Sequence, residues 1–528
     1  MNRRTKRIAH LAVAASAVIA MGAMTACSSG GGDAPAPSGD GGASGGALNM
    51  AIPADEGCID PQQLVGRSQL TVARGMVDSL VYQDGTDFKP WLASSWEVSD
   101  DVTSYTFELR DDVTFSDGSA LDAQTVVDNF NAIVELGSKA RLASTYLAGV
   151  DSITAPDERT VSVVFAEPNA AFLAAVATPS MGILSAASAA EEQSARCQGS
   201  ITGSGPFVVD SYTPNESINL TARDDYAWGP LHEGRAYLDS VSVSIVAESS
   251  VRTGTLVSGQ TDYITEVQRA DLATLEGADM PVESRSNPGL SQGLFVNPAS
   301  GPLADQAVRE ALMLGADRQT LIDTTLTEYQ KLATSSLSSA TPGYVDNSDL
   351  VVFDPEQAEK ILDEAGWTPG ADGIREKDGQ RLTVSLLYGS QLYGFLVPLM
   401  ELLQQQYAAI GVEMTLRPLP DADANTAWIN KDFELRISAL TRAEPDVMRT
   451  AFLGTDPALD ALLTEQLATA DTAARMDMVA EAQKMLLTEG FFVPINELAL
   501  PMAHSQRLGN IQYTTDSLVL LSELQLAS

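Results

Sequence analysis

Hydrophobic and polar residues change their period several times along the chain, and the changes outline a mixed α/β body. Tyr105, Phe107 and Leu109 alternate with Ser104, Thr106 and Glu108, the period of a strand with one buried face. A Ser116-Asp117-Gly118 turn follows, after which Val126, Val127, Phe130 and Ile133 recur at helical spacing. Val161, Val163 and Phe165 mark another strand that stops before Pro168. Farther on, Asp305 is placed to cap a helix carrying Val308, Ala311 and Leu312. Asp354-Pro355 supplies an N-cap with proline in the first turn, and Gly366 closes that helix. Leu382, Val384 and Leu386 alternate; Phe395, Leu396, Leu399, Leu402, Leu403 and Tyr407 then follow a helical period up to Gly411; Val412, Met414 and Leu416 alternate again. Strand, helix and strand joined by a short exit turn form a βαβ unit, which predicts a partly parallel sheet.

The N-terminus is patterned differently. Arg3, Arg4, Lys6 and Arg7 precede an apolar run from Ile8 to about Met21, too short to span a bilayer comfortably and typical of an export signal. It ends in Met24-Thr25-Ala26-Cys27, which resembles a bacterial lipobox. Residues 1–26 are then expected to be a lipoprotein signal peptide, with Cys27 carrying the lipid. The alternative is an ordinary signal peptide beside an incidental cysteine. Residues 27–46 are almost wholly Ser, Gly, Asp, Pro and Ala, a flexible tether that buries too little apolar surface to fold.

Removing the first 26 residues takes away four basic and no acidic side chains, which moves the formal charge from −38 to −42. A surface that acidic repels nucleic acid and anionic lipid, so no nucleic-acid partner is expected and membrane attachment falls to the lipid anchor alone. Of three cysteines, Cys58 and Cys197 remain beside Cys27. In an oxidising compartment they read either as a disulfide or as two buried thiols. About 480 residues beyond the tether exceed one hydrophobic core, so two or three domains are expected.

Motifs for chemistry are sparse. His10 leaves with the signal peptide, and His232 and His504 stand in no metal-ligand spacing; no CxxC, HExxH or GxxxxGK[ST] occurs. Gly203-Ser204-Gly205-Pro206 is neither a nucleophile elbow nor a dinucleotide loop, because proline interrupts a following helix. It reads as a tight backbone turn between domains. No cofactor and no catalytic residue are expected, and an enzyme is the least favoured class.

Several segments together carry a resemblance. FKPWLASSWEVS at 88–99, Tyr105 to Arg110, Val113 to Gly118 and Leu121 to Val126 match, in order, signatures of the family-5 extracellular solute-binding proteins. Gly203 to Phe207, Tyr226 to Trp228, Val308 to Leu312 with Asp317-Arg318, and Glu364 to Trp367 continue it over nearly the whole mature chain. That family includes oligopeptide-, dipeptide- and nickel-binding receptors of ABC importers. The resemblance implies an α/β, two-lobed periplasmic-binding-protein-like clamshell with an additional third domain. Mapped here, domain I comprises 47–90, 200–296 and 500–528, domain II 91–199, and domain III 297–499. Cys58 and Cys197 then both fall near domain I, consistent with a bridge.

The implied function is that of a monomeric receptor, held outside the cytoplasmic membrane, that hands a peptide or similar mid-sized solute to ABC permease subunits. A metal chelate or oligosaccharide is the alternative cargo, and a sensory surface lipoprotein the alternative role. In peptide-binding relatives an aspartate in an A-D-Y-x-[DE]-P segment anchors the peptide amine. The matching stretch here runs from Leu440 to Asp446, with Thr441 at the aspartate position and Arg442 at the aromatic one. This departure argues against that mode of amine recognition. Arg442 would instead favour a carboxylate, unless it simply pairs with Glu444 or Asp446. Tyr388 at a strand end, Tyr393 in the next turn and Trp428 complete the candidate ligand-binding set with Arg442, Thr441 and Glu444, although an aromatic in such a place is more often core than ligand platform.

Overall fold

The computed structural model describes residues 45–390 and 396–527. The predicted strand forms at Ser104–Leu109, burying Tyr105, Phe107 and Leu109 while Glu108 faces out. The predicted helix forms at Ala123–Leu136, where the Asp122 carboxylate accepts the backbone N–H of Thr125 at 2.8 Å and Gly137 ends the helix with φ +52°. Asp305 and Asp354 cap Gln306–Leu314 and Pro355–Glu364 in the same way. Such side chains satisfy donors that the first helical turn leaves free.

Three sheets organise the chain. A four-stranded antiparallel sheet runs Ala93–Val98, Ser104–Leu109, Thr160–Phe165, Val150–Thr154. Its core joins Phe107, Phe130, Phe165 and Phe172, with Phe165 and Phe172 meeting edge to face at 4.9 Å. A seven-stranded sheet centres on Ala47–Ile52, parallel to both Ser240–Ile245 and Tyr263–Ile264, and recruits Met502–His504 from the far end of the sequence. A five-stranded sheet contains the predicted βαβ unit: Thr383–Gly389 lies parallel to Glu413–Leu419, with Val397–Ala409 between them in sequence. Phe395, expected to open that helix, lies outside the described residues.

The strand Gly289–Val296 belongs to this third sheet, antiparallel to Leu435–Thr441 on one side and Phe492–Asn496 on the other. The expected edge between the first and third segments, at 296, falls after it. All eight of its residues are buried, so it shows no alternation to read. The described residues form one compact unit.

Two features tie the sheets together. The Gly203–Pro206 stretch lies flush against the Gly75–Val77 backbone: Gly205 N–H donates to the Met76 carbonyl at 3.0 Å, and Phe207 N–H to that of Gly75 at 2.9 Å. A β-carbon at Gly205 would fall 2.4 Å from the Met76 carbonyl carbon, so only glycine allows this approach. Cys58 and Cys197 form a disulfide across 139 residues of sequence. Beside it, Arg196 pairs with Asp60 at 3.1 Å, both fully enclosed.

Candidate functional site

A cleft of about 480 Å³ opens between two walls. One wall is Thr145 to Gly149 with Phe165 to Thr178; the other is Arg442 to Leu453 with Leu467; Gln83 closes the floor. Its volume lies in the range of about 300–1,000 Å³ found for small-molecule sites. The walls touch through the Ala170 N–H, which donates to the Leu467 carbonyl at 2.8 Å, and Gln83 Nε2 donates to the Ala443 carbonyl at 3.0 Å.

The carboxylates of the second wall are occupied. Glu444 pairs with Arg475, a residue of the helix Thr472–Thr488. The Arg475 guanidinium also reaches Glu444 Oε2 at 3.4 Å, the Gln466 side chain at 3.1 Å and the Ala170 carbonyl at 3.4 Å. Asp446 accepts from Arg449 at 2.8 and 3.0 Å and from Gln466 at 2.8 Å. Arg442 is therefore left out of both pairs: among the described residues it has no carboxylate partner. Its guanidinium lies 5.1 Å from the Tyr146 ring centroid and makes long contacts to Thr450 Oγ1 at 3.4 Å and Thr145 Oγ1 at 3.3 Å. Burial pushes the Tyr146 phenol up, against the opposing pull of Arg442, so that ring stays neutral beside the cation. A half-buried guanidinium with unfilled donors favours an anionic acceptor.

The remaining expected site residues are spread out. Glu444 lines this cleft and also an adjoining cavity of about 330 Å³ with Phe88, Tyr105 and Met476. Thr441 sits one residue from Arg442 but its hydroxyl turns to Asn287 Nδ2 at 3.4 Å, and it does not line the cleft. Tyr388 is buried in the core beside Leu386 and Leu435. Trp428 lines a different cavity of about 330 Å³. There it stacks on Phe433 at 5.3 Å, meets the edge of Phe295 at 4.9 Å and carries the Arg436 guanidinium at 4.4 Å. Both rings go where apolar area is buried, which removes them from Arg442. Tyr393 and Cys27 lie outside the described residues. Thr145, Tyr146, Glu167, Arg449 and Arg475 carry no sequence signal of a site; their role comes from the juxtaposition of distant segments.

No group of three or more His, Cys, Asp or Glu side chains suited to a metal ion occurs among the described residues. His232 is instead fixed by Glu523 at 2.8 Å, and His504 lies 3.5 Å from Glu283.

Residues 87–458 match the family model described as bacterial extracellular solute-binding proteins, family 5 Middle. The nickel-binding periplasmic protein of Escherichia coli (strain K12) is 24% identical over 495 residues, covering 88% of this chain and 92% of that protein. The glutathione-binding protein GsiB of Shigella dysenteriae serotype 1 (strain Sd197) is 24% identical over 484 residues, 87% of this chain and 90% of that protein. Among solved structures, NikA from Brucella suis in complex with Fe(III)-EDTA is similar with a TM-score of 0.78 at 23% identity, covering 91% of this chain and 100% of that one. The Helicobacter pylori protein DppA in complex with the peptide STSA gives 0.72 at 22% identity, covering 92% and 99%. The α/β architecture is thus that of the two-lobed periplasmic binding proteins. The family consists of extracellular or periplasmic solute receptors that work with ABC importers, not of enzymes. The chain belongs to family 5 of the bacterial extracellular solute-binding proteins.

Proposed function

We propose that this protein is the lipid-anchored receptor of an ABC importer, and that it captures a mid-sized organic solute bearing a carboxylate, a peptide or a molecule of similar size, and releases it unaltered to the permease. The observation that carries the reading is the Arg442 guanidinium, without a carboxylate partner among the described residues at the wall of the cleft, while its neighbouring cation Arg449 is neutralised. A charged group held ready for a ligand loses little side-chain freedom on binding. Trapping follows from closure of the 91–199 segment against the 297–499 segment, a hinge motion biased by contacts made only in the closed form. Relatives of known structure hold a peptide or a carboxylate-rich metal chelate, and a chelate would meet Arg442 through the same chemistry.

The test is calorimetry with the solute that co-purifies with the protein, identified by mass spectrometry. Arg442→Ala should weaken binding tenfold or more, and unchanged affinity would remove the guanidinium from the site. The anchor is tested separately: Cys27→Ala should move the protein from the membrane fraction to the medium or periplasm, and retention on the membrane would refute lipidation at Cys27.

A further inference from the structure

The cleft holds a second charge without a partner among the described residues. Of the acidic side chains lining it, Glu444 is bound by Arg475 and Asp446 by Arg449 and Gln466. Glu167 is exposed and has neither an ion-pair nor a hydrogen-bond partner among the described residues. It belongs to the wall opposite Arg442, in the loop that leaves the strand Thr160–Phe165. The backbone on both sides of it is fixed. Ala166 N–H donates to the Gly149 carbonyl at 2.9 Å, Asn169 N–H donates to that of Val102 at 3.0 Å, and the Tyr105 hydroxyl donates to the Asn169 carbonyl at 2.5 Å. Pro168 further confines Glu167 to extended backbone. The backbone that carries this carboxylate at the edge of the cleft is thus held on both sides.

One free anion and one free cation on facing walls define a polarity. We infer that Glu167 is a ligand-binding residue that receives a cationic group, so that the solute is dipolar, with its anionic end at Arg442 and its cationic end at Glu167. This rests on the receptor reading above and deepens it. Both charges engage one ligand only when the walls are together, which makes a dipolar solute a better closing agent than a singly charged one.

The probe is an equimolar mixture of unblocked tripeptides of alanine, leucine, phenylalanine and serine, compared with the same mixture N-acetylated or C-amidated. Each is titrated by thermal shift against the wild-type protein and Glu167→Gln, whose unliganded melting temperatures should agree because the side chain is exposed. In the wild type, acetylation should cost tenfold or more in apparent affinity. In Glu167→Gln the unblocked mixture should bind as weakly as the acetylated one, whereas C-amidation should still cost affinity because Arg442 is intact. Equal binding of acetylated and unblocked mixtures by the wild type, full discrimination retained by Glu167→Gln, or no binding of any mixture overturns the inference. If the co-purified solute proves to be an anion without a cationic group, and its affinity depends on Arg442, the receptor reading stands and this one falls.

Discussion

Replacing Arg475 with methionine tests how the second wall of the cleft is held. Arg475 and Glu444 are each 7% exposed, and the pair is the only charge compensation either carboxylate oxygen of Glu444 receives among the described residues. Methionine preserves bulk but leaves Glu444 buried and alone, a change that costs about 3–5 kcal/mol when one partner of such a pair is removed. With an unfolding entropy near 2.1 cal/mol/K per residue over roughly 480 residues, about 1 kcal/mol corresponds to about 1 °C, so the melting temperature should fall by roughly 3–5 °C. Glu444→Gln added to Arg475→Met removes the stranded charge while keeping an acceptor for the Asp446 N–H, which lies 3.1 Å from Glu444 Oε1. The double variant should recover to within about 1 kcal/mol of wild type. Urea denaturation followed by tryptophan fluorescence, in parallel with calorimetry, measures both. A single variant within 1 °C of wild type, or a double variant no better than the single, would falsify the view that the pair compensates a buried charge.

Three further outcomes follow from the geometry. Cys58→Ser with Cys197→Ser should lower stability by about 5 kcal/mol, the chain-entropy value for a loop of this length, measured as a shift in urea midpoint that reductant reproduces on the wild type and not on the variant. Asp78, which accepts from Trp228 Nε1 at 2.7 Å and from the Tyr226 hydroxyl at 3.1 Å, is pushed up from 3.8 to about 7 chiefly by burial. The folded state then binds the extra proton across that window, so stability should fall as pH rises from about 4 to about 7; Asp78→Asn should flatten that part of the profile in denaturation at stepped pH, and an unaltered slope would assign it elsewhere. Gly205→Ala should cost about 1–3 kcal/mol or more, because the new methyl meets main chain that has no room to move, and a melting curve superimposable on wild type would contradict the packing described at Met76.

What the amino-acid order discloses depends on whether the signal is local. The strand at Ser104–Leu109, the helix capped by Asp122 and the βαβ unit around Val397–Ala409 are each written in a few adjacent residues, and periodicity reads them. Gly289–Val296 is not, because burial on both faces and a Ser291-Gln292 pair in its middle erase the alternation. The site is less legible still. Arg442 is visible as a departure from a known motif, but that Glu444 and Asp446 are already occupied depends on Arg475 and Gln466, which arrive on other helices. Trp428 and Tyr388 show the converse: an aromatic beside a strand end says nothing about which way its ring turns until Phe295, Phe433 and Leu386 are in place. Glu167 is one of many surface carboxylates until its wall is set opposite Arg442.

The seven-stranded sheet has a consequence for the order in which the molecule is made. Its central strand, Ala47–Ile52, emerges early, yet its parallel neighbours at Ser240–Ile245 and Tyr263–Ile264 come much later, and Met502–His504 almost a whole chain length after it. The four-stranded sheet, by contrast, is assembled from neighbours within a single stretch. As the chain is made, the latter has all its partners within reach first, while the former stays open until its distant contributors arrive. A polypeptide so wired completes its seven-stranded sheet last.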